Sequence, residues 1–398
     1  MEKLKKEKSW YLLLAFALLV GCCWRLLRPG MFYGNDLPFH LWRIEFIKEG
    51  LKDGQFFLKI IPEALEGYGY PVNLFYSGFF LLIPAALAAC GLSVITSYKL
   101  FLVLIICSAM FTCFYAVYKI SQNRRTALLA VFLYIGSAYF ETDLYSRAAL
   151  GETQAFVFLP LVVVGFYEIL WGDEKNISPL VIGFGGLLLS HLLTFFLAFL
   201  LGAFVCAIAV RRFFLEPKRF QNLFKAAVIT VLLTAFFLFP LIEQMSAQLL
   251  RGKATHYGEY AQNRTMRLRN LFFMVSPPEL YAPVAGVTFL GVLALRFFCG
   301  SPKTQAAKKR DLFYLMGIAC LFACTSLFPW SFFEKLPGLD AIQFPWRFLL
   351  FATLFLAIGG AMAAEHFLEK ISRPRWGTAV CDFDCRTLHS TVSNSVSR

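Results

Sequence analysis

Charge is scarce in this chain: Asp, Glu, Lys and Arg make up 16% of its 398 residues, against about 25% in a soluble globular domain. Acidic residues are the scarcer sign, 25 against 38 basic ones, for a net charge of +13. Histidine occurs only five times, at His40, His191, His256, His366 and His389, with no metal-ligand spacing between them. The eleven cysteines form no framework either. Nine lie in or beside apolar runs (Cys22, Cys23, Cys90, Cys107, Cys113, Cys206, Cys299, Cys320, Cys324), where Cys acts as a small hydrophobe. Cys381 and Cys385 offer two of the four ligands that a structural zinc site needs. The first apolar run lacks a small-residue cleavage site, since Cys22, Cys23, Trp24 and Arg25 follow it. There is no internal repeat of the kind many secondary transporters show. These absences exclude a soluble enzyme, a disordered chain and a secreted disulfide scaffold.

What remains is apolar. Hydrophobic residues make up 58% of the chain, in blocks long enough to cross about 30 Å of hydrocarbon. The chain is therefore an all-α polytopic membrane protein. Its basic residues cluster at the ends of apolar blocks, which fits cytoplasmic loops and anionic lipid rather than nucleic acid. The run from about residue 9 to 27 is an uncleaved first span with a cytoplasmic N-terminus, in a cell (plasma) membrane. Residues 29–72 then form a first external loop. The helix at 74–91 either crosses or dips; dipping places Lys119, Arg124 and Arg125 in the cytoplasm, as the positive-inside bias favours. Further spans fall near 98–118, 126–140, 152–170, 178–190, 192–210, 223–242, 283–299, 311–330 and 347–368, about ten in all. The block 178–210 is too long for one span and breaks near His191. Residues 1–370 form one membrane domain, and 371–398 a polar tail that is either disordered or the end of a shortened chain.

Candidate chemistry gathers in the loops assigned outside. The first reads Gly34-Asn-Asp36-Leu-Pro-Phe-His40-Leu-Trp-Arg43. Asp36, His40 and Arg43 fall at i, i+4 and i+7, on one face of a helix. Phe39, Trp42, Phe46 and Ile47 suit a lipid-facing side at the interface. Asp36 is equally suited to capping that helix. A Gly67-Tyr-Gly-Tyr-Pro71 turn follows, placing tyrosines at headgroup level. The second loop, 141–152, carries Glu141, Asp143, Arg147 and Glu152, and Glu152 also suits a helix N-terminus. His191, in an apolar run, has Ser190 and Thr194 as local hydrogen-bond partners. Arg347, in Gln343-Phe-Pro-Trp-Arg347-Phe, serves as an interfacial anchor or a lipid-phosphate ligand, with Asp340 the only acidic residue near it in sequence. Arg251, Lys253, His256, Arg264, Arg267 and Arg269 add cations between 243 and 282.

Taken in order, Gly-Asn-Asp-x-x-x-His-x-x-Arg, Gly-Tyr-Gly-Tyr-Pro, Arg-x-x-x-Gly-Glu, Ser-His and Gln-Phe-Pro-Trp-Arg-Phe resemble a known set. Over residues 9–370 the chain resembles the bacterial 6-pyruvoyl-tetrahydropterin synthase-related membrane proteins, which look like members of the glycosyltransferase-C superfold. The pterin-synthase part of that name implies a zinc-binding His trio, which this sequence does not offer. The superfold implies transfer of a sugar from a polyprenyl-phosphate carrier to an acceptor outside the membrane. It also implies that Asp36 is the base or a metal ligand, and it matches Arg147 and Glu152 to a second acidic loop. His40, Arg43, Arg147, Glu152, His191 and Arg347 are the expected substrate and lipid-phosphate contacts. A divalent cation, Mg or Mn, fits oxygen ligands. Two rivals stand beside this expectation: a transporter or lipid flippase, and an inactive envelope-assembly partner. Such relatives continue with more spans or an external domain, so the expectation is of a truncated or frameshifted member.

Overall fold

The computed structural model describes residues 2–247, 259–273, 283–300, 304–333, 339, 342 and 344–372. Among these the regular structure is helical: α1 (Glu2–Cys23), α2 (Leu37–Lys52), α3 (Val72–Phe75), α4 (Leu82–Ala89), α5 (Val94–Ser121), α6 (Arg124–Ile135), α7 (Ala138–Glu141), α8 (Leu150–Trp171), α9 (Ser178–Ser190), α10 (Leu192–Ile208), α11 (Val210–Leu215), α12 (Pro217–Ala247), α13 (Glu259–Asn263), α14 (Val287–Leu295), α15 (Gln305–Ala323), α16 (Trp330–Phe333) and α17 (Phe348–Ser372). The expected tail from 373 onward lies outside the described residues.

Among the described residues, four stretches are long and apolar enough to cross a membrane, namely α5, α8, α12 and Pro345–Ile371, or five if the bent pair from Arg124 to Ser146 is one span. The expected crossings at 178–190, 192–210 and 283–299 correspond to shorter apolar helices. The 178–210 block is two helices, interrupted at His191, whose backbone is extended. The apolar stretch Phe79–Ala89 is helical but only about 16 Å long at 1.5 Å per residue, half the hydrocarbon thickness.

Helix boundaries follow local chemistry. The Ser93 hydroxyl accepts from Thr96 N–H at the start of α5, Asn123 Oδ1 accepts from Arg125 and Thr126 N–H at the start of α6, and Ser137 accepts from Phe140 N–H at α7. The helices then pack as a row, α15 on α17, α17 on α6, α6 on α5, α5 on α8, α8 on α9 and α9 on α12. Buried share separates its centre from its edge: 83% of the span window in Pro345–Ile371 is inside the protein, but only 28% of that in α12. Helix α12 leaves a band of Phe, Val and Leu uncovered, as a lipid-facing helix does. Where α8 meets α9 the backbones nearly touch, because a side chain at Gly183 would sit 2.7 Å from Val162 N.

Cations close two helix ends. Lys309 Nζ donates to Ile120 O at the end of α5 (3.3 Å) and to Tyr167 Oη (2.8 Å), and Arg219 Nη1 donates to Ile169 O at the end of α8 (2.7 Å). Terminal carbonyls are thus satisfied by positive charge, as the helix dipole favours.

Two expectations are corrected here. Residues 126–140 do not form one straight helix: α6 ends at Ile135, the chain bends by 44°, and α7 runs into a π-helical turn at Thr142–Ser146. Ile47, expected to face lipid, is 3% exposed. The inward face of α2 is Leu37, His40, Arg43, Ile44, Ile47 and Gly50, at helical spacing.

The positive-inside bias predicts that the α5 and α8 C-termini face the cytoplasm, with residue 68 outside and residue 175 inside. On a cysteine-free background, an impermeant thiol reagent applied outside is expected to label Tyr68→Cys and not Lys175→Cys. The reverse pattern would invert the orientation.

Candidate functional site

The site forms where the start of α2, the π-helical turn, the first turn of α8, the α9–α10 break and the start of α17 come together. Its centre is Glu152, in the first turn of α8 and 3% exposed. Its Oε2 accepts from Arg147 Nη1 at 2.6 Å and from Tyr139 Oη at 2.9 Å. Its Oε1 accepts from Arg347 Nε at 3.2 Å, and His191 Nε2 stands 3.9 Å from the same oxygen. Arg147 Nη1 also donates to Asp143, which is fully buried in the π-helical turn. The 141–152 segment, expected to be a loop in which charge is cheap, is therefore corrected: it buries two carboxylates and must pair them.

The turn between them is tightly bound. Its backbone takes a left-handed conformation at Ala148 (φ 50°), and Arg147 N–H donates to Thr142 O. The start of α2 docks on it: Asn35 N–H donates to Ser146 O (3.2 Å) and Asp36 N–H to Arg147 O (2.9 Å). Gly34 permits that approach, since a Cβ there would lie 2.7 Å from Ala148 Cβ and 2.9 Å from Tyr145 O.

Asp36 occupies the N-cap position of α2 but makes no side-chain cap bond. Capping therefore does not explain its carboxylate. Partial burial raises its pKa; the Arg147 charge works against that shift, Glu152 adds to it, and Arg347 opposes it. Asp36 is thus within electrostatic reach of the whole cluster while remaining open at the surface.

The other expected residues divide. Arg347 stands over the Phe344 ring at 5.0 Å, which Arg264 also approaches at 4.7 Å. Among the described residues its carboxylate partner is Glu152, 195 positions away; Asp340, the acidic residue near it in sequence, lies outside the described residues. Arg347 Nη1 is buried without a partner, as is the neighbouring Trp346 Nε1. His191 Nδ1 bonds Thr194 Oγ1 at 2.7 Å, one of the two local partners expected. Arg43 is brought instead to the turn before α4. Its guanidinium donates to Asn73 Oδ1 from Nε (3.0 Å) and Nη2 (2.9 Å), to Tyr76 O (2.7 Å) and to Ser77 O (3.1 Å), and stands over the Tyr76 ring at 4.4 Å. That side chain clamps the turn through Nε and Nη2. His40 is 2% exposed, and burial beside Arg43 pulls its pKa well down, so it is neutral. It lines a polar cavity of about 10 Å³ with Arg43, Tyr76, Gln154 and Ser190, room for about one water. Of the remaining cations between 243 and 282, Arg251, Lys253 and His256 lie outside the described residues.

Sequence reasoning missed Tyr139, placed within an expected span, and gave Asp143 no role of its own. Nothing local marks either residue, because both are identified by partners that only the fold supplies. It also missed the cations beside the turn. Arg25 stands 5.1 Å over the Tyr145 ring, Arg28 stands 4.4 Å over Trp24, and Lys99 Nζ donates to Arg28 O. Among the described residues none of these three has a carboxylate partner.

A divalent cation does not fit this arrangement. Both oxygens of Glu152 are taken by guanidinium and phenol donors, Asp143 is bound to Arg147 through Oδ1 and leaves a single buried Oδ2, and no three His, Cys, Asp or Glu converge among the described residues.

The sequence profile of the 6-pyruvoyl-tetrahydropterin synthase related domain, a membrane protein family, matches residues 74–383. The chain belongs to that family. Arg147, Glu152, His191 and Arg347 lie inside the matched region; Asp36, His40 and Arg43 precede it. The chain is also similar to an uncharacterized protein of Lactococcus lactis subsp. cremoris (strain MG1363), 25% identical over 351 residues. That alignment covers 83% of this chain and 56% of the relative, so the chain spans just over half the relative's length. No solved structure matches it.

If Glu152 neutralises the two arginines, removing it leaves Arg347 without a carboxylate partner among the described residues and Arg147 with Asp143 alone. Glu152→Ala is expected to cost about 3–5 kcal/mol, read as a fall in thermal unfolding temperature of the detergent-purified protein. Glu152→Gln keeps the volume and one acceptor oxygen and should cost less. Equal stability of Glu152→Ala and the parent would remove Glu152 from the centre of the cluster.

Proposed function

We propose that this protein is a membrane glycosyltransferase with a ten-span, glycosyltransferase-C-like architecture. It moves a sugar from a polyprenyl-phosphate carrier to an acceptor on the outer side of the plasma membrane. The observation that carries this reading is the pairing of an uncommitted carboxylate, Asp36, with a cluster whose Arg347 retains an unpartnered buried donor. Sugar transfer needs one base and one anion-stabilising group close together.

The roles follow. Asp36, as carboxylate, takes the proton of the acceptor hydroxyl while that oxygen bonds to the anomeric carbon. The bond from that carbon to the carrier phosphate oxygen breaks, and its electron pair leaves with the phosphate. Arg347, through Nη1, and the Arg25, Arg28 and Lys99 rim draw and stabilise that anion. Glu152 is saturated with donors, so its role is to hold Arg147 and Arg347 in place. A flippase would need ionisable groups along a mid-membrane path. In this protein Glu152 lies in the first turn of α8, at the end of the helix.

Asp36→Asn is expected to lower transfer by about 10²-fold or more with insertion unchanged, measured as incorporation of sugar from a polyprenyl-phosphate donor. Because the Asp36 pKa is raised, its base form is lost as pH falls through a value above the ordinary carboxylate pKa of about 3.9. The acidic limb of the pH–rate profile should therefore sit above that value and disappear in the residual activity of Asp36→Asn. An Asp36→Asn variant with parental activity would end this assignment.

Arg347→Lys removes the fork while keeping the charge. It is expected to weaken binding of undecaprenyl phosphate in nanodiscs by about 1.5–3 kcal/mol, the scale of a hydrogen bond to a charged group. Unchanged affinity would leave Arg347 as an anchor and a partner for Glu152.

A further inference from the structure

The charged cluster does not account for Asn73. Its Oδ1 receives both Arg43 donors, but its Nδ2 is buried with no partner, on a residue only 7% exposed. Leaving a buried amide donor unpaired costs about 1–3 kcal/mol.

Asn73 lines an apolar trough of about 50 Å³ between α2, the segment 56–59, the turn before α4, and α12. Phe57 and Phe79 stand 5.4 and 5.7 Å from Phe236 of α12, and all three rings are well exposed on the lipid-facing side. Lys59 also borders the trough; it is exposed and has no carboxylate partner among the described residues.

Hydrocarbon walls, a buried amide and a cation at the edge describe an amphiphile. The amide decides which one. Its acceptor must sit among hydrocarbon, away from the headgroup. An acyl ester carbonyl does so, whereas an isoprenoid phosphate carries no oxygen along its chain. We propose that this trough binds an acyl chain of an anionic glycerophospholipid, with the ester carbonyl accepting from Asn73 Nδ2 and the lipid phosphate facing Lys59. The site is separate from the transfer chemistry proposed above and does not rest on it. A bound lipid would brace the Arg43–Asn73 clamp from its open side.

Three lipids test it by native mass spectrometry of the full chain in detergent: dioleoyl phosphatidylglycerol, its diether analogue without carbonyls, and undecaprenyl phosphate. The parent is expected to hold the diester up to about tenfold more tightly than the diether, the scale of one hydrogen bond. Asn73→Asp keeps an acceptor for Arg43 and loses the donor, so it should bind the diester only as well as the parent binds the diether. Lys59→Gln should weaken phosphatidylglycerol but not phosphatidylcholine. Equal affinity of the parent for diester and diether overturns the proposal, as does displacement of the diester by an equal concentration of undecaprenyl phosphate. If Asn73→Asp does not fold, the two lipids on the parent decide alone.

Discussion

The Glu152 carboxylate organises this end of the bundle. An ion taken from water into a packed helix end costs several kcal/mol unless its lone pairs are met. Here they are met by Arg147, Tyr139 and Arg347, with His191 close by. These residues come from the π-helical turn, α7, the start of α17 and the α9–α10 break. Such an arrangement gains little net stability over an apolar packing, because desolvation offsets the attraction. What it supplies is register. The start of α17 cannot slide against the first turn of α8 without exposing one buried charge to another's absence.

That constraint sorts the other charged groups into those already committed and those left over. Glu152 has no oxygen to spare, and Asp143 is held by Arg147. Asp36 has a backbone pinned to the same turn but a side chain with no cap to make. The cations divide in the same way. Arg43 commits both Nε and Nη2 to Asn73 and to two carbonyls of one turn, whereas Arg347 commits only Nε, to Glu152, and keeps a buried Nη1. Chemistry that exchanges a proton or meets an anion must use the groups left over, which is why Asp36 and Arg347 carry the functional reading and Glu152 does not.

Much of this was legible in the sequence wherever the signal is local. Apolar blocks marked the helices, the 178–210 block broke at His191, and Thr194 supplied that histidine's partner. The helical phase of His40 and Arg43 was readable, but not what their face would touch. Arg43 finds Asn73 thirty positions on, and Arg347 finds Glu152 across 195. Hydropathy and periodicity carry no information about such pairs. The π-helical turn was hidden for another reason: neither Gly nor Pro marks Thr142–Ser146, and the left-handed residue after it is an alanine. Ile47 was misplaced because the apolar residues of α2 surround the helix, and only packing against the turn at Asn73–Gly78 says which side is inside.

Under the proposed function, the charge count bears on where the carrier phosphate would be drawn. In the cluster, Asp36, Asp143 and Glu152 face Arg147 and Arg347, so the centre offers no excess of positive charge. The excess lies beside it, where Arg25, Arg28 and Lys99 are held against aromatic rings and a backbone carbonyl without carboxylate partners among the described residues. A phosphate therefore gains more at this rim than at Glu152, because rim cations do not have to be taken from a carboxylate first. Arg25 reaches Tyr145 in the turn whose Arg147 carbonyl holds Asp36. The same short turn thus links the cationic rim to the uncommitted carboxylate.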